Sequence, residues 1–321
     1  MKSEDRKKRL ILIDGMAILH RAYHAYPMSL TTPTGELTNA VYGFTTILLT
    51  VIEKLLPTHV VVAWDVGKPT FRHEEYEGYK ARREKPDEEL INQIERTREV
   101  VEVLNIPQFG VEGYEADDVI GTLSKQAIAG LGEDREVIIV TGDRDALQLV
   151  EEEKIKVWMP APPGKYGANR GPSMFGEDAV KHKYDLSPKQ LIDLKALMGD
   201  NSDDIPGIKG VGEKTAVKLV KEFENLEGIY EAVKKEREKV VAVVGERFAK
   251  MLENGKESAY MSRKLGTIVR DIPIELDWDK CKLSNYEREK VVDLFEKLAF
   301  KSLVNKLPKD KWEEDLEEMF G

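Results

Sequence analysis

The sequence predicts an α/β fold: a central, mostly parallel twisted sheet flanked by helices, followed by a helical C-terminal half. Three observations carry this reading. The runs Arg9–Asp14, Val60–Asp65 and Val137–Asp143 have the near-continuous apolar character of strands buried on both faces. Between the first two runs, Leu37 to Leu56 repeats apolar residues at helical spacing (Val41, Phe44, Ile47, Leu48, Val51, Leu55) and stops at Pro57, completing a strand-helix-strand unit. From Gly176 onward helical periodicity takes over, over Pro188–Met198, Glu213–Phe223, Asn225–Lys234, Val240–Leu252 and Tyr286–Leu298.

Taken in order, the chain opens on a basic arm before the first strand. Asp14 interrupts its apolar stretch, and no run approaches the roughly 20 residues that span a bilayer, so a soluble cytoplasmic protein is expected. The single Cys281 has no partner for an internal disulfide, which fits a reducing compartment. After the second strand comes a charged segment, Lys68 to Arg83. Pro86-Asp87-Glu88-Glu89 then has the composition of a helix start and leads to about Leu104. A short strand near Ile106–Phe109 precedes a helix opened by Glu115-Ala116-Asp117-Asp118 and continued by Val119, Ile120 and Leu123. The Pro160–Pro172 stretch is rich in breakers and reads as a surface loop. Near the C-terminus Trp312, Leu316, Met319 and Phe320 share one face of an acidic helix that is expected to dock on the body. The expected organisation is an α/β core over 1–175, a helical region over 176–304 and an acidic tail over 305–321, forming one body.

Each apolar run finishes on an aspartate: Asp14, Asp65 and Asp143. Open α/β sheets bind ligands at the carboxyl ends of their strands, so these acids should meet in one crevice. Glu115, Asp117 and Asp118 open a helix, Asp145 follows Asp143 by two, and Asp200 and Asp203 lie in Gly199-Asp200-Asn201-Ser202-Asp203-Asp204. Any one of them could be a helix cap or turn residue, but separate caps do not account for the set. Two carboxylates about 4 Å apart repel by roughly 4 kcal/mol at an effective dielectric near 20, so a shared pocket must bind protons or cations. Oxygen-only donors suit Mg²⁺ or Mn²⁺, two ions being expected, and argue against zinc, copper or an iron-sulfur centre.

The overall charge, 49 Lys plus Arg against 59 Asp plus Glu, speaks at first against a nucleic-acid partner. The local charge does not. Pro206-Gly207-Ile208-Lys209-Gly210-Val211-Gly212-Glu213-Lys214-Thr215-Ala216 is a glycine turn entering an apolar helix, with Lys209, Lys214, Lys218 and Lys221 opposed by Glu213 alone. Such a turn brings backbone N–H groups and a helix N-terminus to a phosphate, the signature of a helix-hairpin-helix (about 190–223) that grips DNA without reading bases. Lys209, Gly210, Val211, Gly212, Lys214, Thr215 and Lys218 are the candidate contacts.

Asp14-Gly15 with Arg21-Ala22-Tyr23-His24-Ala25, Phe71-Arg72 with Tyr79-Lys80, Glu115 to Leu123, Thr141-Gly142-Asp143-Arg144-Asp145 and Leu197-Met198-Gly199-Asp200 together resemble the flap endonuclease and 5′-3′ exonuclease family, in the branch found as the 5′ nuclease domain of bacterial DNA polymerases. The resemblance runs from about Leu10 to Lys301. It implies a PIN-like nuclease core, with Asp14, Asp65, Glu115, Asp117, Asp118, Asp143, Asp145, Asp200 and Asp203 as metal-binding acids. It also implies a helical arch (about 68–100) bearing Arg72, Tyr79, Lys80 and Arg83, and substrate contact by Arg21. The implied partner is DNA with a 5′ flap, nick or 5′ overhang, bound by a monomer, with K⁺ a candidate at the hairpin. No polymerase motifs follow, so a polymerase would act in cis or in trans. Two features depart from the family: Asp204 stands where it usually has Asn, and the Pro160–Pro172 loop exceeds its usual turn. The competing readings are a DNA-binding module of the same fold that does not cut, and a metal-dependent ribonuclease, which would leave the hairpin unexplained.

Overall fold

The computed structural model describes residues 8–67, 69–129, 135–161, 171–283, 285–310 and 312–313. Its sheet is built from β1 (Lys8–Asp14), β2 (His59–Ala63), β3 (Gln108–Phe109), β4 (Arg135–Val140), β5 (Ile155–Met159) and β6 (Ser173–Phe175), in the order β3-β2-β1-β4-β5-β6. Every pairing is parallel except β5 with β6. The chain moves outward from β1 to β3 and then crosses back to place β4 on the other side of β1, which puts a topological switch point beside β1.

Strand alternation divides β1 between two cores. Ile11 and Ile13 face the layer of α1 (Gly15–Ala25), α2 (Asn39–Leu55) and α4 (Glu88–Val103), whose core includes Phe44, Leu48, Trp64 and Val100; the short α3 (Phe71–Glu75) lies outside that core. Leu10 and Leu12 face α5 (Ala116–Ala129) through Val61, Val119, Leu123, Val137 and Ile139. Gly15 follows Asp14 because α1 lies against Trp64, where a Cβ would come within 2.5 Å of the indole.

The second half contains α6 (Glu177–Tyr184), α7 (Gln190–Met198), α8 (Glu213–Phe223), α9 (Leu226–Lys235), α10 (Arg237–Val244), α11 (Glu246–Asn254), α12 (Lys256–Gly266), α13 (Arg288–Lys297) and α14 (Lys301–Val304). Helices α7 to α12 share a core that includes Leu194, Leu197, Leu219, Val220, Leu252 and Ala259. The chain then returns to the sheet: Val60 donates to the carbonyl of Cys281 at 2.9 Å, and α13 places Val291 and Phe295 in the first core.

Several expectations need correction. The helical arch implied for about 68–100 is helical only in part: α3 is one short turn, residues 76–87 are irregular, and α4 buries Leu90, Val100 and Val101 in the body. The Val240–Leu252 helix is broken at Gly245, whose φ of +89° ends α10. Helix α12 and the β5–β6 pair were not foreseen. Residues 162–170 of the breaker-rich loop, which joins β5 to β6, lie outside the described residues, as do 314–321 of the tail; Trp312, expected to dock, is exposed.

Candidate metal centre

Register fixes where the strand-end acids emerge. Asp14 pairs with Ala63 and Ile13 with Val140, so Asp14, Asp65 and Asp143 leave neighbouring strands at one edge of the sheet. Asp14 caps α1, its Oδ1 accepting from the Ala17 N–H at 3.0 Å, while its Oδ2 accepts from the Thr141 hydroxyl at 2.8 Å. Asp65 accepts from the Ala116 N–H at 2.9 Å, satisfying a free donor at the start of α5. Asp143 accepts from the Asp145 N–H at 2.9 Å and Asp200 from the Ser202 N–H at 2.8 Å. The local cap and turn readings are therefore true of individual acids, and the same acids also share one pocket.

Electrostatics shows the sharing. Burial, with Asp65 and Asp143 as neighbours, pushes the Asp14 carboxyl up to about 7 against the bonds from Ala17 and Thr141. Asp117 is raised well above the usual carboxylate range by desolvation and by Asp143, Asp14 and Asp145, and its carboxylate has no hydrogen bond or ion pair among the described residues. Desolvation likewise raises Asp65, where Glu115 adds to the effect. Asp145 is pushed up to about 6 by burial and Asp143, in spite of Lys195. Carboxylate oxygens of Asp145, Asp200 and Asp203 lie within 4.8 Å of one another.

Cations cover the other side of the pocket. Lys80 donates from Nζ to Glu115 at 2.9 Å and lies 4.0 Å from Asp203; Arg83 donates to Asp203 at 3.1 Å. The Tyr79 hydroxyl donates to Glu115 at 3.1 Å. Burial alone would raise Glu115, but Lys80 and Arg72 bring its carboxyl below the ordinary range. Lys195 on α7 sits between Asp145, at short range, and Asp200, at 2.7 Å, and holds the Asp200 carboxyl down against its burial. Sequence reasoning missed Lys195. The available signal was a lone cation in the apolar run Leu194-Lys195-Ala196-Leu197-Met198, directly before Gly199-Asp200.

Two candidates are placed elsewhere. The expectation that Asp118 ligates metal gives way to a fully buried ion pair: its oxygens accept from Arg72 at 2.7 and 2.8 Å, and also from the Glu115 and Val269 N–H groups. Arg72, expected to meet substrate, spends its remaining donors on the carbonyls of Leu265 and Thr267. Its reach inward ties α3 to α5 and to the C-terminal end of α12. Arg21 is half-buried on α1, with one guanidinium nitrogen unpartnered.

The loop carrying Asp200 and Asp203 runs straight into the glycine turn between α7 and α8. Gly199 (φ +75°) and Gly207 (φ +59°) touch backbone to backbone, leaving no room for a Cβ on either. Lys209, Gly210, Gly212, Lys214 and Lys218 are exposed and Thr215 partly so; the three lysines have no ion pair among the described residues. The first turn of α8 lacks a side-chain cap, leaving the N–H groups of Glu213 and Lys214 without a backbone or side-chain partner among the described residues. Val211, counted as a contact, turns its side chain into the helical core.

A mostly parallel sheet that converges carboxylates, with no sulfur or imidazole beside them among the described residues, on its switch point has the chemistry of an α/β site for hard divalent cations. Residues 9–185 match the N-terminal resolvase-like domain of 5′-3′ exonucleases, and residues 186–289 match their C-terminal SAM fold. The chain belongs to the 5′-3′ exonuclease family. It is 40% identical over 309 residues to DNA polymerase I of Bacillus caldotenax, an alignment that covers 96% of this chain and 33% of the polymerase. The chain thus spans about a third of the length of the curated relatives it matches. In fold it is similar to a bacteriophage T5 flap endonuclease variant solved as a pseudo-enzyme-product complex with DNA and metal ions (TM-score 0.63, 18% identity, 97% of this chain and 98% of that one). It is also similar to the catalytic core of Rad2 in complex with DNA substrate (TM-score 0.57, 16% identity, 94% and 92%). No helix among the described residues is long and apolar enough to cross a membrane.

Proposed function

We propose that this chain hydrolyses DNA phosphodiester bonds at 5′ flaps, nicks and free 5′ ends joined to duplex, leaving a 5′ phosphate and a 3′ hydroxyl, as the processing of replication and repair intermediates requires. The observation that carries this reading is the pocket of Asp14, Asp65, Glu115, Asp117, Asp143, Asp145, Asp200 and Asp203. It contains more negative charge than Lys80, Arg83 and Lys195 balance, and its Asp200–Asp203 loop runs directly into the exposed basic turn at Lys209–Lys218.

The donor set fits Mg²⁺ or Mn²⁺. Asp14 and Asp117 are driven toward protonation by burial and by their acidic neighbours, the condition that a bound dication relieves, and the Asp145, Asp200 and Asp203 oxygens lie within 4.8 Å of one another. Asp14, Asp65, Glu115, Asp117 and Asp143 would hold one ion and Asp145, Asp200 and Asp203 a second. When bound, such ions supply an activated water and charge stabilisation at the scissile phosphate.

The chain's own groups do the rest. Lys80 and Arg83, the cations nearest the open side of the pocket, steady the non-bridging phosphate oxygens and the developing charge of the leaving group. Arg21, half-buried on α1, would turn its guanidinium to a phosphate of the strand entering beside α1. The lysines and free N–H groups of the hairpin hold the duplex backbone, which fixes its distance from the acids because hairpin and acids share the 199–212 connection. A polymerase acting in cis or in trans would supply the flaps.

The test is cleavage of a 5′-labelled flap duplex in Mg²⁺ and in Mn²⁺, with a chelator control and matched nicked, blunt and RNA substrates. The reading expects short 5′-phosphorylated products from flap DNA in either metal and none in chelator. Preferential cutting of the RNA would favour the ribonuclease reading, and tight flap binding without products the non-cutting module.

A further inference from the structure

Asp204 occupies the position that departs from the family pattern, and its side chain is bonded to Arg82. Its Oδ2 accepts from the backbone N–H of Arg82 at 2.9 Å, and its Oδ1 accepts from the Arg82 guanidinium at short range. Asp204 adopts φ +56°, a conformation that Asp and Asn tolerate better than most residues, and this turns the carboxylate toward the 79–83 segment. One residue earlier, the carbonyl of Asp203 accepts from the Lys80 N–H at 2.9 Å. Lys80 is itself held at φ +51°. On the inner side, the Tyr79 ring is buried with Ile205 and Leu265.

The segment bearing Lys80 and Arg83 is therefore fastened to the metal-loop residues 203–205 at three successive points, and Asp204 provides the outermost. Without that fastening, residues 81–87 have no regular secondary structure to hold them between Lys80 and α4. We propose that Asp204 is a positioning residue for the nuclease reaction. By clamping Arg82 to the loop that carries Asp200 and Asp203, it fixes where the Lys80 ammonium stands over the pocket. It touches neither substrate nor metal. The proposal rests on the reading of Lys80 as the phosphate-steadying cation.

The carboxylate makes two bonds, and they differ in kind. The one to the Arg82 backbone sets the path of the chain; the one to the exposed Arg82 guanidinium is open to water and contributes little. Asn can keep the first bond, whereas Ala keeps neither. On this account the backbone bond is what matters, which fits a position where the resemblance expects Asn.

The experiment is a double-mutant cycle on flap cleavage under saturating Mg²⁺, with Mn²⁺ affinity and thermal stability measured on each variant. D204A is expected to lower kcat about 5- to 50-fold with KM within about 3-fold, and D204N to restore kcat to within about 2-fold of the parent. In a K80A background, where the positioned group is gone, D204A should lower kcat by less than about 2-fold further. Mn²⁺ affinity should be the same in D204A and D204N as in the parent. Full additivity of D204A and K80A, failure of D204N to restore turnover, or a parallel loss of Mn²⁺ affinity in D204A would overturn the positioning role. K80A turning over like the parent would instead remove the reading of Lys80 on which the proposal stands, and the two failures are told apart by K80A alone.

Discussion

Arg72 and Asp118 form a bidentate pair at 2.7 and 2.8 Å in which both side chains are closed to solvent. The pair joins α3 to α5 directly beside the acid pocket, and it explains why an acid within the Glu115–Asp118 cluster is spoken for. Breaking a buried pair by removing one partner leaves an uncompensated charge, so Asp118→Asn is expected to lower unfolding free energy by about 3–5 kcal/mol. Urea denaturation measures that loss, and Mn²⁺ titration of the folded variant should give the parent's affinity. A stable D118N protein with weakened Mn²⁺ binding would return Asp118 to the metal set.

Lys195 presents the opposite case, a cation inside the acid pocket that bridges Asp145 and Asp200. An ion held by those carboxylates must share them with the ammonium group. Replacing Lys195 with Met removes the competitor, and Mn²⁺ binding measured calorimetrically is expected to tighten about 3- to 10-fold. The metal-free protein should become less stable at the same time, because Asp145 and Asp200 lose their counter-charge. Weaker Mn²⁺ binding in the variant would show that Lys195 supports the ion site.

The raised carboxyls set a pH dependence. Asp14, pushed up to about 7, and Asp145, pushed up to about 6, bind protons more tightly folded than unfolded, where each titrates near 3.8. Between about pH 4 and 7 the folded state holds the extra protons, so the stability of metal-free protein falls as pH rises through that window and levels off above it. Glu115 and Asp200, held low by cations, act in the other direction, and their contribution is lost only as pH falls through the lower carboxylate range. Melting in chelator should therefore occur about 5 °C or more higher at pH 5.5 than at pH 8, and Mn²⁺ at pH 8 should restore the difference. A metal-free melting temperature that climbs steadily from pH 5.5 to 8 would contradict the shared-pocket electrostatics.

Lys209, Lys214 and Lys218 are exposed and have no ion pair among the described residues, as a surface that meets phosphates requires. Replacing all three with Ala should weaken flap-duplex binding uniformly across sequences. It should also reduce the slope of log affinity against log salt by about 2 to 3, since each phosphate contact contributes roughly 0.9. Filter binding or anisotropy from low to moderate salt checks this; an unchanged slope would remove the hairpin from the interface.

Much of this was legible in the sequence because strand burial and strand termination are local. The runs ending at Asp14, Asp65 and Asp143 announce the sheet, and parallel register then forces their ends together. The glycine turn at Gly207–Gly212 was equally visible, since close backbone approach leaves few residue types possible. What could not be read depended on contacts between distant segments. Asp118 and Asp117 are adjacent and chemically alike, yet α5 turns one toward Arg72 and the other into the pocket, a difference set by helix rotation against a partner 46 residues away. Lys195 reaches Asp145 across 50 residues for the same reason. The helical arch that the resemblance implied over about 68–100 is interrupted at 76–87, where the backbone N–H groups of Lys80 and Arg82 bond to Asp203 and Asp204 of a loop about 120 residues away.

The central claim is that acids from separate strands and loops act together through bound dications to cut DNA. The most direct measurement compares Asp117→Asn and Asp14→Asn with the parent for cleavage of a 5′-labelled flap in Mg²⁺, with binding of the same flap followed by anisotropy in Ca²⁺. The account expects turnover to fall about 100-fold or more in each variant, with flap affinity within about 3-fold of the parent. Turnover by either variant at the parent's rate would contradict it.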